Sequence, residues 1–222
     1  MDDGQVTAVP VIAIDGPGGS GKSTVARAVA ARLGYRHLDT GAMYRAVTVL
    51  VLRAGVAGDS AEAAQLAQSM TLELGRSVLL NGEDVTAAIR ALEVDEAVSS
   101  VAANPAVRAN LVARQRAWLD DGRGAVVEGR DIGSVVFPDA ALKVYLTADP
   151  RERARRRLQQ VGEWDPGRES VPVEEASALL SARDDLDATR SSSPLVVPDG
   201  AKVVDSTGRS VEDVVEEVLS YL

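Results

Sequence analysis

The sequence predicts an α/β fold built on a parallel sheet. A short apolar, β-branched run from Val9 to Asp15 ends at a glycine-rich loop, and Ser23 to Leu33 follows with helical spacing. Strand-like and helix-like segments then alternate, which is typical of parallel strands joined by crossover helices. One stretch, residues 56–103, interrupts this alternation. We therefore expect one α/β domain with an insertion.

The first 55 residues are predicted to contain two strand–helix pairs. The first helix is expected to end at Gly34, because glycine readily adopts the left-handed conformation that closes a helix. Residues 35–38 could form a short second strand. Thr40 to Arg53 has the spacing of a second helix, capped by Asp39 or Thr40 and ended by Gly55.

The interrupting stretch has the pattern of a small helix followed by a hairpin. Residues 60–70 are helix-like, and residues 71–74 and 77–80 resemble two strands joined at Gly75-Arg76. Asn81-Gly82 is a turn signal. The segment is therefore interpreted as an insertion with its own small sheet.

The second half returns to alternating elements. Pro105 is expected at the first turn of a long helix. Residues 162–172 combine glycine, prolines and charges without periodicity, so they are predicted to form a mobile loop. The remaining expected elements are helices at 106–120, from Pro150, at 173–186 and at 211–222, and strands at 124–127, 142–146 and 202–204.

Composition narrows the possible functions. The 222 residues include no cysteine and one histidine, which excludes disulfides and metal sites built from cysteine or several histidines. The net charge of −9 disfavours nucleic acid as a partner. The acidic N-terminal stretch lacks the apolar core of a signal sequence, and no apolar run approaches membrane length. We expect a cytoplasmic protein without a membrane partner, and a monomer.

The glycine-rich loop fits two motifs that exclude each other. "GPGGSGKS", residues 16–23, matches the P-loop pattern G-x-x-x-x-G-K-[ST], and it also contains the dinucleotide fingerprint G-x-G-x-x-G. Asp39 lies 23 positions after Gly16, near where a ribose-binding acid of a dinucleotide fold would be found. This leaves a nicotinamide-dependent oxidoreductase as one candidate.

The P-loop interpretation accounts for more of the residues. Converging backbone N–H groups would bind phosphates, Lys22 would add a point charge, and Ser23 would coordinate Mg²⁺. Only three of the chain's 24 basic residues are lysines, so a lysine at this position is notable. The predicted ATP-binding residues are Gly16, Pro17, Gly18, Gly19, Ser20, Gly21, Lys22, Ser23 and Thr24.

Among P-loop proteins, a small kinase fits best. No asparagine is followed by lysine, so the GTPase motif N-K-x-D is missing from the sequence. An acceptor that is itself a phosphate monoester needs cations around two polyanions rather than a strong base. Arginines near predicted helix or strand ends are candidates for this role: Arg45, Arg108, Arg130, Arg183 and Arg190.

Three further segments carry a resemblance to a known family. LDTGAMYR at 38–45, EGRDIG at 128–133 followed by VVFPD, and RDDLDATR at 183–190 together resemble the bacterial cytidylate kinases, which are nucleoside monophosphate kinases. The resemblance runs from about Val11 to the C-terminus. It implies a P-loop kinase with a parallel five-stranded core sheet, a monophosphate-binding insertion and a short lid, and transfer of phosphate from Mg²⁺-ATP to CMP or dCMP.

The resemblance also implies roles for individual residues. Thr40, Tyr44 and Arg45 would form the acceptor segment, and Arg130 and Arg190 would bind its phosphate. Ser99, Arg108 and Asp131 are similar to residues that recognise cytosine, with Ser100 next to the first of them. Asp187, held by Arg183, would bind the sugar hydroxyls. Lys22 and Arg130 are predicted to be catalytic.

Domain limits follow from the same resemblance. The whole chain, 1–222, is expected to be one domain with its core at about 9–55, 104–152 and 173–222, its insertion at about 56–103 and its lid at about 153–172. Of the five arginines between 151 and 157, Arg153 and Arg157 lie four apart and are the predicted catalytic lid residues. Glu128 stands where many family members have aspartate, which leaves its role near Mg²⁺ open.

The P-loop is also compatible with two different functions. A P-loop kinase with a non-nucleotide acceptor would act without any monophosphate. A non-catalytic nucleotide-binding module would bind ATP without turnover.

Overall fold

A computed structural model describes residues 10–119, 122–164, 171–190 and 192–222, with only the backbone described at 163 and 164. Eight strands form two sheets within this part of the chain. They are β1 (Val11–Asp15), β2 (Arg36–Asp39), β3 (Leu72–Leu74), β4 (Val78–Leu80), β5 (Glu83–Asp84), β6 (Ala125–Glu128), β7 (Leu142–Thr147) and β8 (Lys202–Asp205).

The main sheet has the order β2-β6-β1-β7-β8, and all its neighbouring strands are parallel. This confirms the predicted five-stranded parallel core. Numbered along the chain within this sheet, the strands have the order 2-3-1-4-5. In the dinucleotide fold the second strand lies beside the first. Here β6 lies between them, so the topology does not support the dinucleotide interpretation of the glycine loop.

Helices cover both faces of this sheet. The helices are α1 (Lys22–Leu33), α2 (Thr40–Ala54), α3 (Ala61–Ser69), α4 (Leu92–Ala103), α5 (Pro105–Ala117), α6 (Pro150–Trp164), α7 (Val173–Thr189) and α8 (Val211–Leu219). Alternate residues of β1 point to opposite faces: Ile12 and Ile14 pack with α1 and α8, and Val11 and Ala13 pack with α2 and α5. The central strand is therefore buried on both sides.

Residues 56–103 contain the predicted helix and hairpin, together with three elements that were not predicted: strand β5, a short 3-10 helix at Ala88–Arg90 and helix α4. The antiparallel pair β3–β4 turns at Gly75-Arg76 as expected, and β5 adds a third strand after the Asn81-Gly82 turn. Helix α4 was missed because Ala91 at its start gives no capping side chain to recognise. Its buried residues Val94, Val98 and Val101 pack with α2 and α3 in one core.

Helices α6 and α7 lie beside the glycine loop. The two pack through Ala154, Ala176 and Leu180. The prediction of a loop from Gly162 was wrong for its first residues, since α6 continues to Trp164. The side chain of Trp164 lies outside the described residues, as does the rest of the predicted loop up to 170.

Within the described ranges, none of the helices has both the length and the apolar composition needed to cross a membrane.

Candidate active site

A cleft of about 390 Å³ opens at the carboxyl edge of the main sheet. Parallel strands end at this edge, and in open α/β sheets ligands bind there. The cleft combines most of the predicted site residues, although they come from seven separate segments. Its lining includes Gly18, Gly19, Lys22, Ser23, Thr40, Tyr44, Arg45, Ser99, Arg108, Arg130, Asp131, Arg157, Arg183, Asp187 and Arg190.

The glycine loop connects β1 to α1 and needs glycine for steric reasons. Gly16 has φ 146°, and a Cβ placed on it would lie 2.0 Å from the carbonyl oxygen of Leu146 in β7. Gly21 adopts the left-handed conformation at the N-terminus of α1. The backbone thereby turns sharply and presents the helix N-terminus to the cleft, which is a favourable position for a phosphate.

Lys22 lies over this loop. Its Nζ donates to the carbonyl oxygen of Pro17 at 2.7 Å and is 3.5 Å from Ser20 Oγ. Burial, reinforced by the nearby charge of Arg130, lowers the pKa of Lys22 to about 7. The amine is therefore poised to gain a proton when an anion comes near it.

Ser23 and Glu128 form the candidate metal position. Ser23 Oγ donates to Glu128 Oε2 at 2.7 Å, and Glu128 Oε1 lies 2.9 Å from His37 Nε2. Thr40 Oγ1 donates to the Glu128 carbonyl at 2.7 Å. The longer side chain of glutamate thus reaches the P-loop serine. His37, in β2, orients this carboxylate.

Hydroxyl and carboxylate oxygens are the hard donors that Mg²⁺ prefers. Among the described residues no group of three or more His, Cys, Asp and Glu side chains forms a metal cage. Mg²⁺ typically uses few protein ligands together with phosphate oxygens and water. Ser23 and Glu128 therefore fit a Mg²⁺ ion that arrives with a nucleotide.

Arg130 connects the loop to α7. It donates through Nη1 to the Gly16 carbonyl at 2.8 Å and through Nε to Asp187 at 2.9 Å. Asp187 also pairs with Arg190 at 3.3 Å. The expectation that Arg183 holds Asp187 was wrong: Arg183 donates to Asp95 instead, at 2.8 Å. The closer cations Arg130 and Arg190 already satisfy Asp187, so the Arg183 side chain turns toward α4.

Arg108 and Asp131 form a buried ion pair at the inner end of the cleft. Arg108 Nη2 donates to Asp131 Oδ2, and both side chains are less than 10% exposed. The Arg108 guanidinium lies 5.3 Å from the centre of the Tyr44 ring. Burial raises the pKa of Tyr44 to about 12, so its hydroxyl stays protonated. The three residues form a polar wall at this end of the cleft.

Ser99 rather than its neighbour faces this cleft. Ser99 belongs to the lining, whereas Ser100 Oγ donates to the Ala97 carbonyl and lies next to Gly58. Of these two serines, Ser99 is thus the one that faces the cleft, and its role in binding a ligand stays a prediction. Thr24, in contrast, is exposed in the first turn of α1 and outside the cleft.

The two predicted lid arginines have different positions. Arg157 lines the cleft and pairs with Asp95. Arg153 does not reach it: the side chain is buried, donates to the Gly18 carbonyl at 3.0 Å and pairs with Asp184. Asp184 also accepts from the Gly18 N–H at 3.0 Å. Arg153 thus stabilises the P-loop, whereas Arg157 on the same helix faces the cleft. Their helical spacing alone did not reveal this difference.

Arg156 and Asp15 were not among the predicted site residues, whereas Asp39 was predicted either as a cap or as a ribose-binding acid. Arg156 donates to both oxygens of Ser206 at 2.8 Å and lies 3.4 Å from the Ser20 carbonyl. Buried Asp15 accepts from the N–H groups of Ile132 and Gly133, at 2.7 Å each. Asp39 caps α2 through the Ala42 N–H at 3.1 Å, which gives it a structural role instead of a ribose-binding one.

Fold and site together define a P-loop kinase: a parallel sheet of order 2-3-1-4-5, a lysine-bearing phosphate loop and an arginine-lined cleft at the strand ends. The chain belongs to the cytidylate kinase family, whose model matches residues 12–222.

Curated relatives support this membership. The chain is 46% identical to the cytidylate kinase of Solibacter usitatus (strain Ellin6076), with 96% of this chain and 91% of that protein covered. It is 48% identical to the bifunctional pantoate ligase/cytidylate kinase of Parasynechococcus marenigrum (strain WH8102) over 96% of its length. The chain spans only 41–44% of the length of this and two similar bifunctional proteins.

A solved structure gives independent support for the fold. An uncharacterized protein from Eubacterium ventriosum ATCC 27560 superposes with a TM-score of 0.53 at 11% identity, covering 96% of this chain and 97% of that one. At this identity the likeness concerns the fold alone.

Proposed function

We propose that this protein transfers the γ-phosphoryl group of ATP to CMP or dCMP, giving ADP and the corresponding diphosphate. One observation supports this most strongly: the P-loop lysine and the buried Arg108–Asp131 pair line one cleft, with arginines between them. Family membership agrees with the proposal. The side chains that line the cleft would thus bind a donor phosphate, an acceptor phosphate and a nucleobase.

The donor side consists of the P-loop. Its N–H groups and Lys22 would bind the β- and γ-phosphates, and Ser23, oriented by Glu128, would hold Mg²⁺. Bound Mg²⁺ would neutralise charge that develops on the phosphate oxygens. Lys22 would change its partner from the Pro17 carbonyl to the transferred group. Arg153 and Asp184 would keep the loop in place beneath the nucleotide.

The acceptor phosphate would bind among arginines from different elements. Arg45, Arg130, Arg183 and Arg190 all line the cleft between the P-loop and the insertion. A phosphate monoester is already anionic near neutral pH, so orientation and charge neutralisation replace a general base. Asp187, placed by Arg130 and Arg190, would accept from a sugar hydroxyl.

Recognition of cytosine would depend on the inner wall. Asp131 would accept from the exocyclic amino group, and Arg108 and Ser99 would contact the carbonyl side of the ring. Uracil has no such amino group, so UMP would leave a buried acceptor unpaired, at a cost of about 1 to 3 kcal/mol. Asp131 is less than 5% exposed, so water cannot readily replace the lost bond.

The proposed activity is tested by ADP release with Mg²⁺-ATP and CMP, dCMP, UMP, AMP, GMP or no acceptor. We expect turnover with CMP and dCMP, weak turnover with UMP and almost none without acceptor. Lys22→Met should abolish it. Lys202→Met, which changes an exposed lysine in the edge strand β8, is the matched control. Equal turnover with all acceptors, or turnover without one, would contradict the proposal.

Cytoplasmic location, a monomeric state and direct action on free nucleotides remain predictions. Sedimentation of the purified protein with and without CMP tests the expected monomer.

A further inference from the structure

Three arginines of the cleft converge on a single carboxylate. Arg45 Nη2 donates to Asp95 Oδ1 at 2.6 Å, Arg183 Nη1 donates to the same oxygen at 2.8 Å, and Arg157 donates to Asp95 Oδ2. The arginines belong to α2, α7 and α6, and Asp95 belongs to α4 of the insertion. Asp95 thus pairs with three arginines that come from three different helices.

These cations are the ones to which an anionic ligand would bind. Arg45 and Arg183 belong to the proposed acceptor-phosphate site, and Arg157 is the lid arginine that lines the cleft. Arg183 Nε is buried and has no hydrogen-bond partner among the described residues, so the cluster retains donor capacity. The Asp95 oxygens thus lie where three guanidinium groups direct their N–H bonds, as phosphate oxygens would.

The charges of the cluster can be added. Three guanidinium groups and one carboxylate leave two positive charges, and a phosphate monoester carries about −1.5 to −2 near pH 7. Although burial opposes its ionisation, Arg45, Arg157 and Arg183 keep the pKa of Asp95 well below its usual range. The carboxylate is therefore charged throughout the physiological range.

We propose that Asp95 is an internal competitor for the acceptor's phosphate: its carboxylate must release or share Arg45, Arg157 and Arg183 before a phosphate monoester can bind them. Asp95 thereby weakens phosphate binding and links entry of the acceptor to the contact of the insertion with α6 and α7. It is a positioning residue that acts through the arginines. The proposal rests on the proposed function only in assuming that the acceptor carries a phosphate.

A purely structural role for Asp95 predicts the opposite effect of removing its charge. If Asp95 only held the arginines in the geometry that binds phosphate, its removal would let the three arginine side chains move apart and would weaken phosphate binding. If it competes, its removal frees three cations and strengthens binding. The direction of the change therefore separates the two roles.

The test measures the affinity for inorganic phosphate by calorimetry at low ionic strength, without nucleotide. Asp95→Asn keeps the size of the side chain and removes its charge, and we expect about fivefold or more tighter phosphate binding. The KM for CMP should fall in parallel. Glu96→Gln removes the same charge from an exposed position of α4 and should change neither value by more than about twofold.

Asp95→Glu provides a second variant, because it retains the charge and should retain the wild-type phosphate affinity within about threefold. Phosphate affinity unchanged or weaker in Asp95→Asn would overturn the proposal, as would no phosphate binding to any of the proteins. If Asp95→Asn is poorly folded, a larger phosphate-induced rise in its melting temperature than in wild type supports competition, and a smaller rise refutes it. Tighter phosphate binding without any CMP-dependent turnover would support the competition and refute the proposed function.

Discussion

Arg130 Nε donates to Asp187 Oδ2 at 2.9 Å, joining two residues 57 positions apart at the mouth of the P-loop. The same guanidinium donates to the Gly16 carbonyl. The side chain therefore connects the phosphate loop, the end of β6 and helix α7. Under the proposed function, Arg130 would contact both the transferred phosphoryl group and the acceptor's phosphate.

Arg130→Ala should lower kcat by about 100-fold or more, because a fixed cation at the developing charge is lost. Measurement of kcat with saturating ATP and CMP tests this. Arg151→Ala removes an arginine that is two-thirds exposed and should leave kcat unchanged. Folding is checked by thermal melting, and near-wild-type turnover of Arg130→Ala would contradict the assigned role.

Asp131→Asn should reduce kcat/KM for CMP by about 10-fold or more. It should also reduce the preference for CMP over UMP, because the asparagine amide is a donor that would face the amino group of cytosine, which is a donor as well. The ratio of kcat/KM values for the two acceptors is the measurement. The variant also leaves Arg108 buried without its anion, at a cost of about 3 to 5 kcal/mol in stability. Asp139→Asn, exposed in the same segment, is the control. An unchanged acceptor ratio would refute the base-recognition role.

Arg156→Ala should raise the KM for ATP by about fivefold and leave the KM for CMP nearly unchanged. Arg156 ties the Ser20 carbonyl of the P-loop to Ser206, so its loss loosens the donor site only. Steady-state kinetics with each substrate varied in turn separates the two effects. Arg155→Ala changes the exposed neighbour and should have no effect on either value. An equal rise in both KM values would contradict a role confined to the loop.

ATP affinity should fall as pH rises above about 7, where Lys22 loses its proton. Below this pH the amine is already charged, and binding takes up no proton. Above this pH, Lys22 must take up a proton when the phosphates bind, so the affinity for ATP decreases by up to about tenfold per pH unit. Calorimetry in buffers of different ionisation enthalpy measures the proton uptake. Lys22→Met should abolish the uptake and Lys202→Met should not.

Local patterns in the sequence were sufficient to predict most of the helices and strands. The P-loop and the helix ends at Gly34 and Gly55 were predicted because glycine and capping residues act within a few positions. The cap of α2 was predicted as Asp39 or Thr40, and the structure shows Asp39. Strand β5 was missed because its two residues carry too little pattern to predict a strand. Helix α4 was missed because no capping side chain marks its start, although Val94, Val98 and Val101 have helical spacing.

The sequence by itself determined the fold class, the chemistry of the loop and the family, because these depend on residue types at fixed spacing. Only the tertiary structure decided which charged side chains form ion pairs with one another. Arg183 pairs with Asp95 instead of Asp187, and Arg153 supports the P-loop while Arg157 faces the cleft. Ion pairs between distant segments depend on how α4, α6 and α7 pack, and no local periodicity specifies that arrangement.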